Sequence, residues 1–286
     1  MKVFYLLILS IVTIKVSAQD ISGIWRGKRT QQTGGCFTEY FQELQITVYQ
    51  NKILGRSYSY VDENRYTKIL FKGDYDPENH KVFISESLIL QYNIPEHCVP
   101  CIKTYMLNWA GNTNEEILSG TWEGYQSGNQ RICPPGKISL KKEATSIFKQ
   151  ETFSKEEFER NFYEPESDKR VIEEVESIII RVPEIKIELY DNAEVDGDTV
   201  SIFLNKNLLL HKKRLSDKPL VLFITAVQGI EYELLMFAEN EGSIPPNTSL
   251  MLITAGDDKF ERRINASGQK SPTLKFRYLK KEEEIP

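Results

Sequence analysis

The first half of the chain is a succession of short runs in which apolar and polar residues alternate, each cut off by turn-forming residues. That pattern leaves few folds open. Eight such runs fall near 21–29, 37–49, 53–61, 66–75, 81–92, 102–110, 117–125 and 137–140. Tyr40, Leu44, Ile46 and Val48 keep part of a period of two, as do Val82, Ile84, Leu88 and Leu90. The breaks carry turn chemistry at Asn51-Lys52, Asp62-Glu63-Asn64, Asp76-Pro77-Glu78-Asn79, Gly111-Asn112 and Pro134-Pro135-Gly136. Connections this short join antiparallel neighbours, because parallel strands need a long crossover. Closing such a meander removes its exposed edges. The expected fold is all-β, beginning with an eight-stranded up-and-down antiparallel barrel.

A chain of 286 residues has room for a second domain. Lys2, the apolar run 3–14 and the small residues Val16-Ser17-Ala18 read as a secretory signal peptide over 1–18. About 12 apolar residues are too few to span a bilayer, and no later run is longer, so no transmembrane span is expected. The protein is expected to be secreted, periplasmic or in the cell envelope. A net charge of −5 and a pI near 5.5 argue against nucleic acid as partner. The expected layout is a barrel over 19–142, an acidic linker with a short helix over 143–176, a β-sandwich over 177–280 and a charged tail over 281–286.

Export gives Cys36, Cys98, Cys101 and Cys133 the meaning of disulfide partners. In a meander, the connections after the first, third, fifth and seventh strands share one end. All four cysteines fall in those connections, so all four belong to one mouth of the barrel. Three pairings are open by spacing alone. Bridges from Cys36 and Cys133, each to one member of the Cys98/Cys101 pair, close the longer loops. A bridge within Cys98-Val99-Pro100-Cys101 would be a redox arrangement, but Pro95 and Pro100 flank it and a strand follows, not a helix. A zinc site is disfavoured by the single C-x-x-C motif, and His97 reads as a solvated loop residue.

The pentapeptides Gly23-Ile24-Trp25-Arg26-Gly27 and Gly120-Thr121-Trp122-Glu123-Gly124 repeat one pattern, G-x-W-x-G, in the first and seventh runs. An early G-x-W followed by an antiparallel meander resembles the lipocalin-like (calycin) barrels that bind small ligands. The resemblance implies that Trp25 closes one end of the barrel and that Trp122 lines a cavity. Strand parity adds Tyr58 and Tyr105 as lining candidates. Ser85 and Ser87, alternating with Phe83 and Ile89, suggest either a polar-lined pocket or a flattened barrel.

In the linker, Ser154-Lys155-Glu156-Glu157 is a capping box, with Phe153 and Phe158 placed as a hydrophobic staple and Pro165 as a stop. Strand-like runs then resume from Ser177 at the spacing of a β-sandwich. Asp191, Asp196 and Asp198 stand in a Gly-containing acidic loop suited to calcium. The loop imitates the start of an EF-hand but has Phe203 where the bidentate Glu belongs. The rival reading is a hairpin turning at Asp196-Gly197. The residues Tyr190-Asp191-Asn192, Asp196-Gly197-Asp198-Thr199-Val200-Ser201 and Pro245-Pro246-Asn247-Thr248 resemble a β-sandwich module found at the C-termini of exported Bacteroidetes proteins. That resemblance implies exported β architecture and no activity.

No nucleophile elbow, phosphate loop or zinc-protease motif stands in the sequence. The expected function is a non-catalytic exported binding protein whose barrel takes a small apolar or amphipathic ligand. The alternative is a cell-envelope protein recognising carbohydrate or another surface, assisted by calcium.

Overall fold

The computed structural model describes residues 20–37, 39–95, 98–111, 115–126, 131–163, 170–192 and 195–280. The stretch 1–18 read as a signal peptide, His97, Pro165 and the 281–286 tail lie outside the described residues. The first eight strands are β1 (Gly23–Thr30), β2 (Glu39–Tyr49), β3 (Lys52–Asp62), β4 (Arg65–Asp76), β5 (Lys81–Asn93), β6 (Cys101–Gly111), β7 (Glu116–Gln126) and β8 (Ile132–Glu143). Each pairs antiparallel with the next, and β1 closes on β8 through Ile24↔Glu143 to Arg29↔Ile138. Two motif glycines allow this close approach. A Cβ on Gly27 would stand 2.1 Å from the Ser139 carbonyl oxygen, and one on Gly120 would stand 2.0 Å from that of Met106.

Strand β8 begins earlier than its sequence suggests. Pro134 and Pro135 lie within it, where the register against β7 shifts between Trp122 and Gly124. Prolines are tolerated there because a bulge leaves ladder positions unpaired, and β8 has not yet met β1.

Below its mouth the barrel is packed solid. Trp25, Leu44, Ile46, Ile53, Phe71, Ile84, Leu107, Leu118 and Leu140 form one buried cluster. Trp25 is fully buried at the end away from the cysteines, and its Nε1 donates to the Ile21 carbonyl at 2.8 Å. It therefore plugs that end, as the barrel resemblance implies.

The connector packs on the outer wall. Phe148 stacks on Tyr58 with ring centres 4.2 Å apart, Ser146 donates to the Glu43 carboxylate, and Glu151 pairs with Arg56 and Lys68. Helix α1 (Lys155–Asn161) starts with the expected capping box, Ser154 and Glu157 each satisfying the other's backbone N–H. Phe158 and Phe162 stack on one side of it.

The remaining strands are β9 (Val171–Ile180), β10 (Glu184–Asp191), β11 (Thr199–Leu204), β12 (Asn207–Arg214), β13 (Leu220–Thr225), β14 (Glu231–Ala238), β15 (Asn247–Ala255), β16 (Asp258–Ala266) and β17 (Lys270–Tyr278). They form two sheets, in the orders β13-β10-β15-β16 and β12-β11-β14-β17-β9, in a sandwich-like arrangement. Strand β9 starts upstream of Ser177, inside the stretch read as linker. Its acidic half lies exposed along β17, to which it pairs in parallel, so one-sided burial never imposes a clear alternation. Leu54, Leu70 and Leu88 of the barrel share an apolar cluster with Ile180, Leu204 and Tyr278. Ser87 donates to Asn207 Oδ1 across the same junction at 2.8 Å.

Candidate functional site

The mouth that carries the cysteines opens into a cavity of about 460 Å³. Its walls come from the connections after β1, β5 and β7 and from the strand ends at that mouth. The disulfides Cys36–Cys98 and Cys101–Cys133 tie the rim, with Cα separations of 5.9 and 6.4 Å. This is the long-loop pairing, with neither bridge inside the C-x-x-C motif. All four sulfurs are therefore engaged, which leaves no thiol for redox chemistry and no thiolate for zinc.

The chemistry of the cavity lies in its floor. Arg29, Lys103, Tyr40, Ser59 and Thr67 line it, and Phe37, Ile94 and Val99 give the upper wall an apolar side. Arg65 and Arg131 add two more cations near the rim. Among the described residues, no carboxylate lines the cavity.

Under the floor runs a hydrogen-bonded chain. Ser59 donates to Gln42 Oε1 at 2.7 Å, and Gln42 donates to Ser57 Oγ at 2.8 Å. Ser57 and Tyr105 then donate to Glu86 Oε1 at 2.5 and 2.9 Å. The other oxygen of Glu86 takes the Lys103 backbone N–H at 2.9 Å and its ammonium at 2.8 Å. Glu86 and Lys103 thus neutralise each other inside the protein. Burial pushes the Lys103 ammonium below its usual range, and Glu86 opposes that shift. Burial, followed by the Glu86 charge, drives the Tyr105 hydroxyl well above its ordinary value, so it stays a donor.

Arg29 has no such partner. It is only 3% exposed, and its Nε and Nη1 have no hydrogen-bond acceptor. Its guanidinium carbon lies 4.4 Å from the Tyr40 ring centre and 4.3 Å from that of Trp122. Two π faces stabilise a cation but accept no in-plane N–H. Burial lowers its pKa, opposed by the nearby Tyr105 and Glu86, yet a guanidinium stays charged. The floor therefore holds one positive charge in excess, with donors unsatisfied.

The aromatic residues expected to line a pocket take other places. Trp122 and Tyr105 face each other across β6 and β7 and lie buried beneath the floor. Trp122 supports Arg29 and donates from Nε1 to the Thr30 carbonyl at 2.8 Å. Tyr58 points out of the barrel, because its neighbours Ser57 and Ser59 point in, and it is covered by Phe148. The polar inward residue of β5 is Glu86. Ser85 and Ser87 face outward, alternating with the inward Ile84 and Glu86. Arg29 was absent from the sequence reading, although it continues the inward alternation of Trp25 and Gly27 along β1.

In the second half, Asp191, Asp196 and Asp198 come together, with one carboxylate oxygen of each within 4.8 Å of the others. The hairpin reading of this loop fails, because β10 and β11 belong to different sheets. Comparison with known proteins gave no match, whether to a family model, a curated protein or a solved structure.

Proposed function

We propose that this chain is a non-catalytic exported binding protein whose barrel mouth takes a small amphipathic ligand with an acidic headgroup. The observation that carries the reading is Arg29, a buried cation with two unpaired donors at the floor of a cavity that no carboxylate lines among the described residues. An unsatisfied buried donor costs about 1–3 kcal/mol, and more when charged. A carboxylate resting on Arg29 would remove that cost and gain charge-assisted hydrogen bonds. The apolar part of the ligand would lie against Phe37, Ile94 and Val99. The cavity falls within the usual ~300–1,000 Å³ of small-molecule sites. The architecture shared with lipocalin-like barrels supports the same reading, and so does a rim held open by two disulfides. Exposed aromatic rings such as Phe41, Phe83, Tyr125 and Phe223 are spread over separate strands, which favours an enclosed site over a flat glycan platform.

Calorimetric titration of the mature chain with octanoate and with 1-octanol tests this. Octanoate binds one to one and octanol binds at least tenfold more weakly, a difference of about 1.4 kcal/mol. Arg29→Met abolishes the preference. Equal binding of acid and alcohol, or no heat from either, rules the reading out.

A further inference from the structure

We infer that the Asp191, Asp196 and Asp198 cluster is a calcium site that locks the crossing between the two sheets of the C-terminal sandwich. Asp191 ends β10 in one sheet, and Asp198 immediately precedes β11 in the other. Their carboxylates, with that of Asp196, present oxygens within 4.8 Å of one another. Three ionised carboxylates at that spacing repel strongly unless a cation lies between them.

A second observation points to a ligand. Asp198 is only 2% exposed, yet just one of its oxygens is satisfied. Oδ2 accepts the Thr248 N–H at 2.9 Å, while Oδ1 has no hydrogen-bond partner. Among the described residues, no lysine, arginine or histidine nitrogen lies within salt-bridge distance of Asp196 or Asp198. The Arg214 Nη2 lies 3.6 Å from where a Cβ on Gly197 would stand.

The ligand set selects the ion. All three donors are hard carboxylate oxygens, with no sulfur or imidazole among them. Calcium takes 6–8 oxygens in flexible geometry and completes its shell with water or carbonyls, whereas magnesium demands a strict octahedron. The surrounding bonds show what the ion would hold. Asp196 Oδ2 accepts the Ile244 N–H at 2.7 Å, its carbonyl accepts the Ser243 N–H at 3.2 Å, and Asp198 anchors Thr248 on β15. An ion here would tie the end of β10, the start of β11 and the 243–248 segment into one unit.

The test is thermal unfolding of the full mature chain in calcium chloride, in magnesium chloride and in chelator, beside a calorimetric calcium titration. Saturating calcium raises the midpoint by about 5 °C over chelator, with one-to-one stoichiometry and a smaller response to magnesium. Asp198→Asn abolishes the calcium response and unfolds no earlier than the parent in chelator, since it relieves a buried charge. If that variant fails to fold, the less buried Asp196→Asn serves the same purpose. Equal midpoints in calcium and chelator, an equal response to magnesium, or a full calcium response in the folded variant would overturn the inference.

Discussion

The Lys103 ammonium stands 2.8 Å from the Glu86 carboxylate inside the barrel, and both side chains are almost wholly withdrawn from water. This pairing gives the cavity floor its character. Glu86 brings one negative charge to two cations, Lys103 and Arg29, so the floor keeps one positive charge whichever of them it contacts. Because Lys103 holds Glu86, supported by Tyr105 and Ser57, the guanidinium keeps its charge uncompensated.

Breaking that pair is expected to be costly. Glu86→Gln leaves the Lys103 ammonium buried without a counter-charge and destabilises the chain by about 3–5 kcal/mol. Adding Lys103→Met removes the stranded charge and recovers most of the loss, since a buried ion pair replaced by uncharged groups is often close to neutral. Urea unfolding of both variants reads this directly. A single variant within about 1 kcal/mol of the parent would mean that the pair is hydrated in solution.

Reduction opens the rim. In the chain-entropy picture, the Cys36–Cys98 bridge, with a sequence separation of 62, stabilises by about 4.3 kcal/mol, and Cys101–Cys133, with a separation of 32, by about 3.7 kcal/mol. The two loops, 36–98 and 101–133, do not overlap in sequence, so in this picture the two contributions are roughly additive. Paired Cys→Ser replacements of either bridge lower stability by amounts of this order, the longer loop losing more. Octanoate binding weakens in both, because each bridge fixes a wall of the cavity. Peptide mapping without reductant checks the connectivity, and a Cys98–Cys101 peptide would refute it.

The Asp198 carboxyl gives stability a pH signature. Its folded value, about 6, lies above the ordinary carboxyl value, so the folded state holds this proton more tightly than the unfolded chain does. In chelator its contribution is fully present below about pH 4 and is lost as pH rises through about 6. The charges facing it are Asp196, Asp191 and Glu241, all of which favour the protonated form. Calcium ligates the ionised carboxylate, so the gap between calcium and chelator melting curves widens as pH rises from 4 to 7. Asp198→Asn flattens this part of the dependence. A gap independent of pH would exclude Asp198 as the responding group.

How far the site could be read in advance turns on which face of a strand is buried. The common rim of Cys36, Cys98, Cys101 and Cys133 followed from strand order alone, since alternate connections of a meander share an end. Tyr58 was misplaced because both faces of β3 are covered, one by the barrel interior and the other by Phe148. Alternation carries no signal when neither side meets water. Glu86 was within reach, since it continues the inward alternation of Val82 and Ile84 along β5 ahead of the register shifts with β4. Arg29 was equally within reach, two residues beyond Gly27 and four beyond Trp25 on the inward side of β1.

By itself the sequence determined the strands, their antiparallel order in the barrel, the helix start at Ser154 and the end of the barrel that the cysteines occupy. These depend on local propensity and on short connections, both of which act between neighbours in the chain. The tertiary structure decided that a lone guanidinium would sit between Tyr40 and Trp122, and that three aspartates would meet where the chain passes between sheets. Those outcomes depend on closure and long-range packing. Whether a buried charge finds a partner is settled by residues far away in sequence, and no local pattern records their distance.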